Sequence, residues 1–102
     1  MRKIEILLNA KPVGELHQHS SNDYSFIYND NYDGQPISRT MPLIRKQFNY
    51  ERFPPFFDGL LPEGPQLNYL LKSKKIDEND YISQLLAIGD DFVGAVSVKE
   101  IR

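Results

Sequence analysis

The spacing of apolar residues changes along the chain, from every second residue in the first half to a helical period in the second half. Lys3–Leu8 is rich in residues that favour strands, and the turn residues Asn9, Pro12 and Gly14 follow it before Glu15–His17. Two short strand-forming segments joined by such turn residues are typical of a hairpin. The chain is therefore predicted to begin with two antiparallel strands.

Two further strands are predicted before the middle of the chain. In the segment DYSFIYND, Tyr24, Phe26 and Tyr28 occupy alternate positions, which is the pattern of a strand with one buried face. The segment PISRTMPL also contains apolar residues, and we predict a fourth, short strand there. Pro36 and Pro42 cannot donate backbone hydrogen bonds, so this strand is expected at an edge or an end of the sheet.

The segment GPQLNYLLKSKK predicts a short helix directly after a proline-rich run. Leu67, Leu70 and Leu71 are spaced so that they fall on one helical face, and Pro65 suits the first turn. The lysines near the end of the segment suit the C-terminal end of the helix dipole.

The segment DENDYISQLLAIG predicts a second helix. Either Asp77 or Asn79 is expected as its N-cap, and Gly89 is expected just after its last turn. The following segment DFVGAVSVKEIR returns to a strand pattern and can complete the sheet. The buried stripe of the helix is expected to contain Tyr81, Ile82, Leu85 and Leu86.

Together these elements predict an α+β fold in a single domain that spans residues 1–102. A small antiparallel or mixed β-sheet, made of the hairpin plus further strands, is expected to pack against two or three short helices. A chain of 102 residues is long enough for one modest core and too short for two. The hydrophobic fraction of 40% is typical of a soluble globular protein rather than a disordered one.

Composition and charge exclude several classes of function. A formal net charge of -2 gives no electrostatic reason to expect direct binding to nucleic acid. The chain has no cysteine for a disulfide, a thiolate metal site or a nucleophile. Glu5 interrupts the first apolar run and no window is long enough for a membrane helix, so neither a signal peptide nor a membrane span is predicted. We expect a whole gene product in the cytoplasm.

Few residues carry recognisable chemistry. His17 and His19 could place two imidazoles on one side of a strand, but the lack of a third ligand at a metal-site spacing favours ordinary surface histidines near a strand end. Asp90 and Asp91 could likewise bind a metal, but a solvated turn is the commoner structure for such a pair. No serine lies in a hydrolase motif, and no glycine pattern matches a phosphate-binding loop. No catalytic, cofactor-binding or metal site is predicted.

The main local signal is the proline-rich run FPPFFDGLLPEGP, which spans Phe53–Pro65. One interpretation is a hydrophobic plug that seals the sheet against the helices. The other is that part of the run stays accessible to another protein, because aromatic anchors dominate binding hot spots. Both can hold together: one of the adjacent Phe56 and Phe57 would face the core while the other faces a partner.

Four segments follow one another along the chain: PISRTMPL, then FFDGLLPEG, then a leucine-rich helix, then LLAIGDDFVGAVSV. In this order and spacing they resemble the N-terminal subdomain of HipA-type toxin kinases. The resemblance runs from Met1 to about Val98 and implies the fold of that subdomain. In HipA-type proteins the nucleotide-binding loop, the catalytic aspartate and the metal ligands lie in later parts of the chain. The resemblance therefore implies that this chain is not a kinase by itself.

A chain made of this subdomain alone resembles HipS, the small subunit of HipBST toxin–antitoxin systems. The resemblance implies an antitoxin that binds a separate HipA-like Ser/Thr kinase toxin, HipT, and suppresses its activity. A helix-turn-helix protein, HipB, would join them in a ternary complex, so DNA would be contacted only indirectly through HipB. The alternative is a structural subunit that completes the kinase and bridges it to HipB without inhibiting it. An enzymatic role would rest only on the histidine and aspartate pairs.

The resemblance places the kinase-binding residues in the proline-rich run and in the helix that follows it. Phe53, Phe56 and Leu60 are then expected to seal the core, while the tip, Leu61–Pro65, is held rigid to meet the kinase. Related small subunits can carry a tryptophan where this chain has Pro65, so another side chain must act here, and Gln66, Leu67 and Tyr69 are the nearest candidates. Gly59 stands where the family motif has asparagine, which is expected to loosen the turn. The predicted partner-binding residues are Phe57, Asp58, Gly59, Leu60, Leu61, Pro62, Glu63, Gly64, Pro65, Gln66, Leu67 and Tyr69.

Overall fold

In the computed structural model, which describes residues 1–89 and 95–101, an antiparallel sheet of five strands forms the centre of the fold. The strands pair in the order β4-β3-β2-β1-β5, and three short helices lie between β4 and β5 in the described sequence. The predicted α+β class is confirmed. The elements are β1 Arg2–Leu8, β2 Lys11–Ser20, β3 Asp23–Tyr28, β4 Gln47–Tyr50, α1 Pro55–Asp58, α2 Gly64–Lys74, α3 Tyr81–Ile88 and β5 Val96–Glu100.

The first hairpin is closed by a two-residue turn. Leu8 pairs with Lys11 across the turn, and the residues between them, Asn9 and Ala10, have φ angles of 53° and 66°. Positive φ at both positions is the backbone of a type I′ turn, whose twist matches that of the flanking strands. The predicted hairpin is confirmed, but its turn is shorter than predicted. Pro12 and Gly14, expected as turn residues, pair with β1 inside β2, which also extends beyond its predicted end at His17.

One face of the sheet carries the core. Ile4, Leu16, Phe26 and Phe48 pair in turn across β1 to β4, and all four side chains are buried. Full burial of an apolar side chain of this size stabilises the fold by roughly 1.5–3 kcal/mol. The helices therefore cover the face on which this row lies. Their fully buried contributions to the same cluster are Phe57, Ile82 and Leu85.

The segment PISRTMPL is not a strand. The Ile37 N–H donates to the buried Tyr28 hydroxyl at 3.1 Å, and this hydroxyl donates to the Met41 carbonyl at 2.6 Å. The Met41 N–H donates to the Ser38 carbonyl, so the backbone closes local turns instead of pairing with a strand. The prediction of a strand here is wrong, because the apolar residues of this segment reach the core from turns. The fourth strand is β4, which the sequence pattern did not indicate.

The second predicted helix, α3, has a different N-cap from the one expected. Asp80 caps it, and its carboxylate accepts the Ser83 N–H at 3.2 Å. The Asp77 carboxylate instead accepts the Asn79 N–H at 2.8 Å, which closes the turn before the helix. Gly89 follows the last turn as predicted, with a φ of 42°. In the predicted stripe, Ile82 and Leu85 are buried while Tyr81 and Leu86 are half-buried.

The last strand, β5, pairs with β1 and contributes the buried Val98 to the core. The predicted return to strand structure is therefore confirmed for this part. Residues 90–94, which include the predicted aspartate pair Asp90 and Asp91, lie outside the described residues. No helix in the described ranges combines the length and the apolar composition that crossing a membrane requires.

An ion pair connects the start of β1 to the start of α3. The guanidinium Nη1 of Arg2 lies 2.8 Å from Asp80 Oδ1 and donates to Ser83 Oγ at 3.0 Å. The Ser83 hydroxyl donates to the other carboxylate oxygen at 2.7 Å. Partial burial acts to raise the pKa of Asp80, but the hydrogen bonds from Ser83 and the charge of Arg2 outweigh burial and hold this pKa below its ordinary value.

Asp80→Asn is expected to lower the free energy of unfolding at neutral pH by roughly 0.3–1 kcal/mol, because the amide can still cap α3 but cannot pair with Arg2. A carboxylate with a depressed folded-state pKa stabilises the protein above its unfolded-state pKa. That contribution is lost as the pH falls through the folded-state value. The difference between variant and wild type should therefore shrink below about pH 4, as measured by urea unfolding at several pH values.

Asp33→Asn is the matched control, since Asp33 is exposed in the loop between β3 and β4. It should change the free energy of unfolding little at any pH. Equal losses in the two variants, or a loss in Asp80→Asn that does not depend on pH, would contradict the role assigned to the ion pair.

Candidate functional site

The proline-rich run FPPFFDGLLPEGP is attached to the sheet by two aromatic anchors. Phe57 is fully buried, and its ring centroid lies 5.7 Å from that of Phe26 on β3. Phe53 is also buried; its ring stacks on Tyr81 at 4.9 Å and meets the edge of Tyr24 at 5.5 Å. Aromatic pairs at such separations contribute roughly 0.5–1.5 kcal/mol beyond the area that they bury. The first half of the run is therefore part of the core.

Tight turns carry the run from these anchors to the surface. The Pro54 carbonyl accepts the N–H groups of Phe57 and Asp58 at 3.1 and 3.0 Å, which forms the single turn of α1. The Leu60 N–H then donates to the Phe57 carbonyl, and the Leu61 N–H donates to the Asp58 carbonyl, both at 3.1 Å. Because each proline also fixes its own φ, few backbone angles in this path are free to change. The position of the tip is thereby tied to the core.

The tip, Leu61–Pro65, lies at the protein surface. Gly64 begins α2 with a φ of 59°, in the left-handed region that favours glycine. A Cβ at this position would meet nothing within 4 Å, so the backbone angle and not a lack of space requires glycine here. Leu61 and Pro62 are half-buried, whereas Glu63, Gly64 and Pro65 are exposed, as is Gln66, which follows the tip.

The helix α2 is apolar on one side but contributes no buried residue. Leu67, Leu70 and Leu71 share a face, as predicted, and each is only half-buried. Tyr69 is 75% exposed. It lies about one helical turn after Pro65, so the two residues are neighbours on the helix surface. An aromatic side chain is therefore available to a partner directly beside the tip.

The predicted partner-binding residues divide into buried and accessible groups. Phe57 is fully buried in the core beside the sheet, so its ring is not exposed to a partner in this structure. Leu60 is half-buried and packs on the core, as does Phe56, in agreement with their expected sealing role. The other predicted contacts are exposed or half-buried from the end of α1 through the tip to α2: Asp58, Gly59, Leu61, Pro62, Glu63, Gly64, Pro65, Gln66, Leu67 and Tyr69.

The two histidines lie on the sheet, and one of them is less exposed than expected. The His17 side chain is 13% exposed, and its Nε2 lies 2.7 Å from Glu15 Oε1. The expectation of a surface residue near a strand end fails for His17 because β2 is longer than predicted and places it away from the end. His19 is exposed and contacts Ser25 Oγ at 3.2 Å. In the part of the chain that the structure describes, no three His, Cys, Asp or Glu side chains are grouped so that they could hold a metal ion.

Sequence reasoning missed the residues that face the tip from across a groove. Glu78 and Asn79, from the connection between α2 and α3, line a cavity of about 310 Å³ together with Leu61 and Pro62 of the tip. Local sequence patterns carry no signal for this juxtaposition, because the two walls are distant in the chain and meet only in the folded protein. The site is therefore wider than the predicted continuous segment.

These features define a class of protein: a small α+β domain in which an anchored, proline-rich run presents an exposed tip. A solved structure described as the N-terminal domain of HipA toxin has this fold, with a TM-score of 0.74 and 28% sequence identity, over 100% of this chain and 96% of that one. The family model described as HipA N-terminal domain matches residues 4–99. The chain belongs to the HipA N-terminal domain family.

Two relatives of this chain differ greatly in length. An uncharacterized protein of Haemophilus influenzae is 30% identical over 100 residues, which cover 98% of this chain and 93% of that protein. A Sinorhizobium fredii protein named "Putative kinase Y4mE" is 26% identical over 102 residues, which cover 96% of this chain and 24% of that protein. The chain thus spans about a quarter of the Y4mE protein and nearly all of the H. influenzae protein.

The two glycines of the proline-rich run, Gly59 before the tip and Gly64 within it, should respond oppositely to the same substitution. Gly59→Ala is expected to stabilise the fold by roughly 0.4–1 kcal/mol, because it restricts the unfolded chain more than the folded one. The φ and ψ of Gly59 are -65° and -15°, and a Cβ would meet its neighbours at an ordinary 3.5 Å. Gly64→Ala is expected to destabilise by roughly 1–2 kcal/mol, because alanine is strained at a left-handed φ. Urea unfolding of the two variants measures both effects.

Each glycine variant serves as the control for the other, since both residues are exposed and receive the same methyl group. Changes of the same sign would contradict the backbone conformations described for Gly59 and Gly64. The helical backbone at Gly59 also does not depend on glycine, so asparagine at this position of the family motif is compatible with the same turn.

Proposed function

We propose that this chain is the antitoxin subunit of a tripartite toxin–antitoxin system, which binds a separate HipA-like Ser/Thr kinase toxin and suppresses its activity. In this proposal the chain itself catalyses no reaction. Membership of the HipA N-terminal domain family supports the link to a HipA-type kinase. The observation that carries the proposal is the anchored tip, whose accessible residues are held in place by the buried Phe57 ring beneath them.

The two relatives support an association between separate chains. The same domain makes up about a quarter of the relative named as a kinase and almost the whole of the H. influenzae protein. Where the domain is a protein of its own, contact with a kinase has to be non-covalent. A surface that is ordered before binding suits this role, because less conformational entropy is lost on association.

Tyr69 is our candidate for the side chain that acts on the kinase. It is 75% exposed and lies about one helical turn from Pro65, the position at which related small subunits can carry a tryptophan. Tyrosine, like tryptophan, is enriched among the residues that dominate binding energy at interfaces. The Tyr69 ring would therefore supply the aromatic contact that a tryptophan supplies in those relatives.

The proposed complex has a third component and forms in the cytoplasm. A HipB-like helix-turn-helix protein would bind DNA, and this chain would reach DNA only through that protein. The formal net charge of -2 agrees with an indirect role, because neutralising phosphates requires an excess of positive charge. The proposal includes neither a cofactor nor a membrane.

The purified chain is expected to bind the HipA-type kinase encoded beside it and to lower the autophosphorylation of that kinase as its concentration rises. Tyr69→Ala should weaken binding and inhibition by about tenfold or more, which is the range of interface hot spots. Ile44→Ala is the matched control, because Ile44 is a large apolar residue that is 91% exposed in the loop before β4. Titration calorimetry measures binding, and transfer of labelled phosphate measures inhibition.

Autophosphorylation that stays undiminished with the chain in excess would overturn the antitoxin role. If the chain binds without inhibiting, and if growth of cells that express the kinase is rescued only when the HipB-like protein is added, the chain is a structural subunit. Equal effects of Tyr69→Ala and Ile44→Ala would show that the Tyr69 ring has no specific part in the contact.

A further inference from the structure

Two neighbouring cavities lie beside the tip, and the second reaches the turn between β2 and β3. Their volumes are about 310 and 580 Å³. Asp58, Asn79 and Tyr81 line both cavities and therefore lie where the two adjoin. Leu67 on α2 lines only the first cavity, and Arg52 lines only the second. The two cavities together are called the groove.

The end of the groove beside α2 combines apolar surface with an acidic rim. Leu61, Leu67 and Tyr81 are half-buried and supply the apolar surface. Glu63 and Glu78 are exposed residues on the two sides of the same cavity. Such a combination fits a partner that presents an apolar side chain and a positive charge close together.

The acidic groups of the groove are not neutralised by this chain. The ion pairs found within the described residues join Arg2 to Asp80 and His17 to Glu15, and neither involves an acid of the groove. The carboxylates of the groove, including that of Asp58 in its middle, therefore face solvent with their charge uncompensated by an ion pair in the described part of the chain.

We propose that this groove, named here the acidic groove, holds an extended segment of the partner kinase in which a lysine or arginine stands beside an apolar residue. The inference rests on the proposed function, because it takes the kinase as the partner. The apolar side chain lies on Leu61, Leu67 and the Tyr81 ring, and the basic group reaches Glu63 and Glu78. Long basic side chains suit this arrangement, since their methylene stems cover apolar surface while their charged ends stay at the polar rim.

Arg52 makes the two ends of the acidic groove differ in charge. A basic residue of the bound segment is attracted to the end beside α2 and repelled from the end at which Arg52 lies. In the middle, the side chains of Asp58 and Asn79 offer hydrogen-bonding groups to a peptide backbone. The segment therefore binds with its basic residue towards α2.

Reversing the charge of the rim tests this arrangement in the full chain. Glu63→Lys/Glu78→Lys is expected to lower the association rate constant with the kinase by about tenfold at low salt, because rim charges act mainly by steering association. The difference should shrink at high salt, where surface charges are screened. Stopped-flow fluorescence at several salt concentrations measures the rate, and urea unfolding confirms that the variant is folded.

Asp30→Lys/Asp33→Lys is the matched control. It adds the same positive charge to a chain of net charge -2, but it does so in the exposed loop that follows β3, at the end of that strand away from the acidic groove. This double variant should change the association rate constant by less than about twofold, because the altered charges lie outside the contact.

Photo-crosslinking identifies the segment directly. The chain contains no cysteine, so Asn79→Cys provides a single attachment point for a thiol-reactive photo-crosslinker in the middle of the acidic groove. Mass spectrometry is expected to find a captured kinase peptide with a lysine or arginine beside an apolar residue. Replacing that basic residue by glutamate should lower the association rate constant as much as Glu63→Lys/Glu78→Lys does, and the label at Asp33→Cys should not capture the peptide.

Equal rates for the two double variants, with the wild-type chain still binding, would overturn the assignment of the acidic groove and leave the proposed function standing. Capture of a peptide without a basic residue would also overturn the assignment of the acidic groove and leave the proposed function standing. Failure of the wild-type chain to bind the kinase would overturn both.

Discussion

The burial of Phe57 against the sheet is the constraint on which the exposed surface depends. Its ring packs on Phe26, and its backbone carbonyl accepts the N–H of Leu60, where the chain turns towards the tip. Phe53 makes a second attachment through Tyr24 and Tyr81, which belong to β3 and α3. Because interiors are packed at the density of organic crystals, these rings cannot shift without disturbing several elements at once. The positions of the accessible residues are therefore fixed by the packing of the core.

A buried hydroxyl has a similar role at the end of β3, on the same face of the sheet as Phe26. Tyr28 is 1% exposed, and burial raises the pKa of its phenol above the ordinary value. The hydroxyl accepts one backbone N–H and donates to one backbone carbonyl in the segment from Ile37 to Met41, so its burial leaves no polar group unsatisfied. One side chain thus fixes a stretch of irregular backbone that has no strand or helix of its own.

Local patterns predicted the elements whose hydrogen bonds are local or join neighbouring strands. The hairpin of β1 and β2 and the helix α3 follow from spacing and turn residues that lie within a few positions of each other. Ile37 and Met41 misled the prediction because their backbone partner is the distant Tyr28. Local patterns also did not identify which of the adjacent Phe56 and Phe57 enters the core: Phe57, predicted to face a partner, is fully buried, whereas Phe56 is half-buried. The tip was found through the family motif, whereas the opposite wall of its groove required the folded chain.

The weak attachment of α2 has a consequence for how the chain behaves over time. None of its residues is buried, and its leucines lie outside the core cluster, so little of the stability of the fold depends on this helix. Segments with few buried contacts open at a much lower free energy than central strands. The amide hydrogens of α2 should exchange early in the free chain and later when a partner covers the helix. A protease that attacks open segments would then degrade the free chain faster than the bound chain. The lifetime of the chain would therefore depend on whether a partner is bound to it.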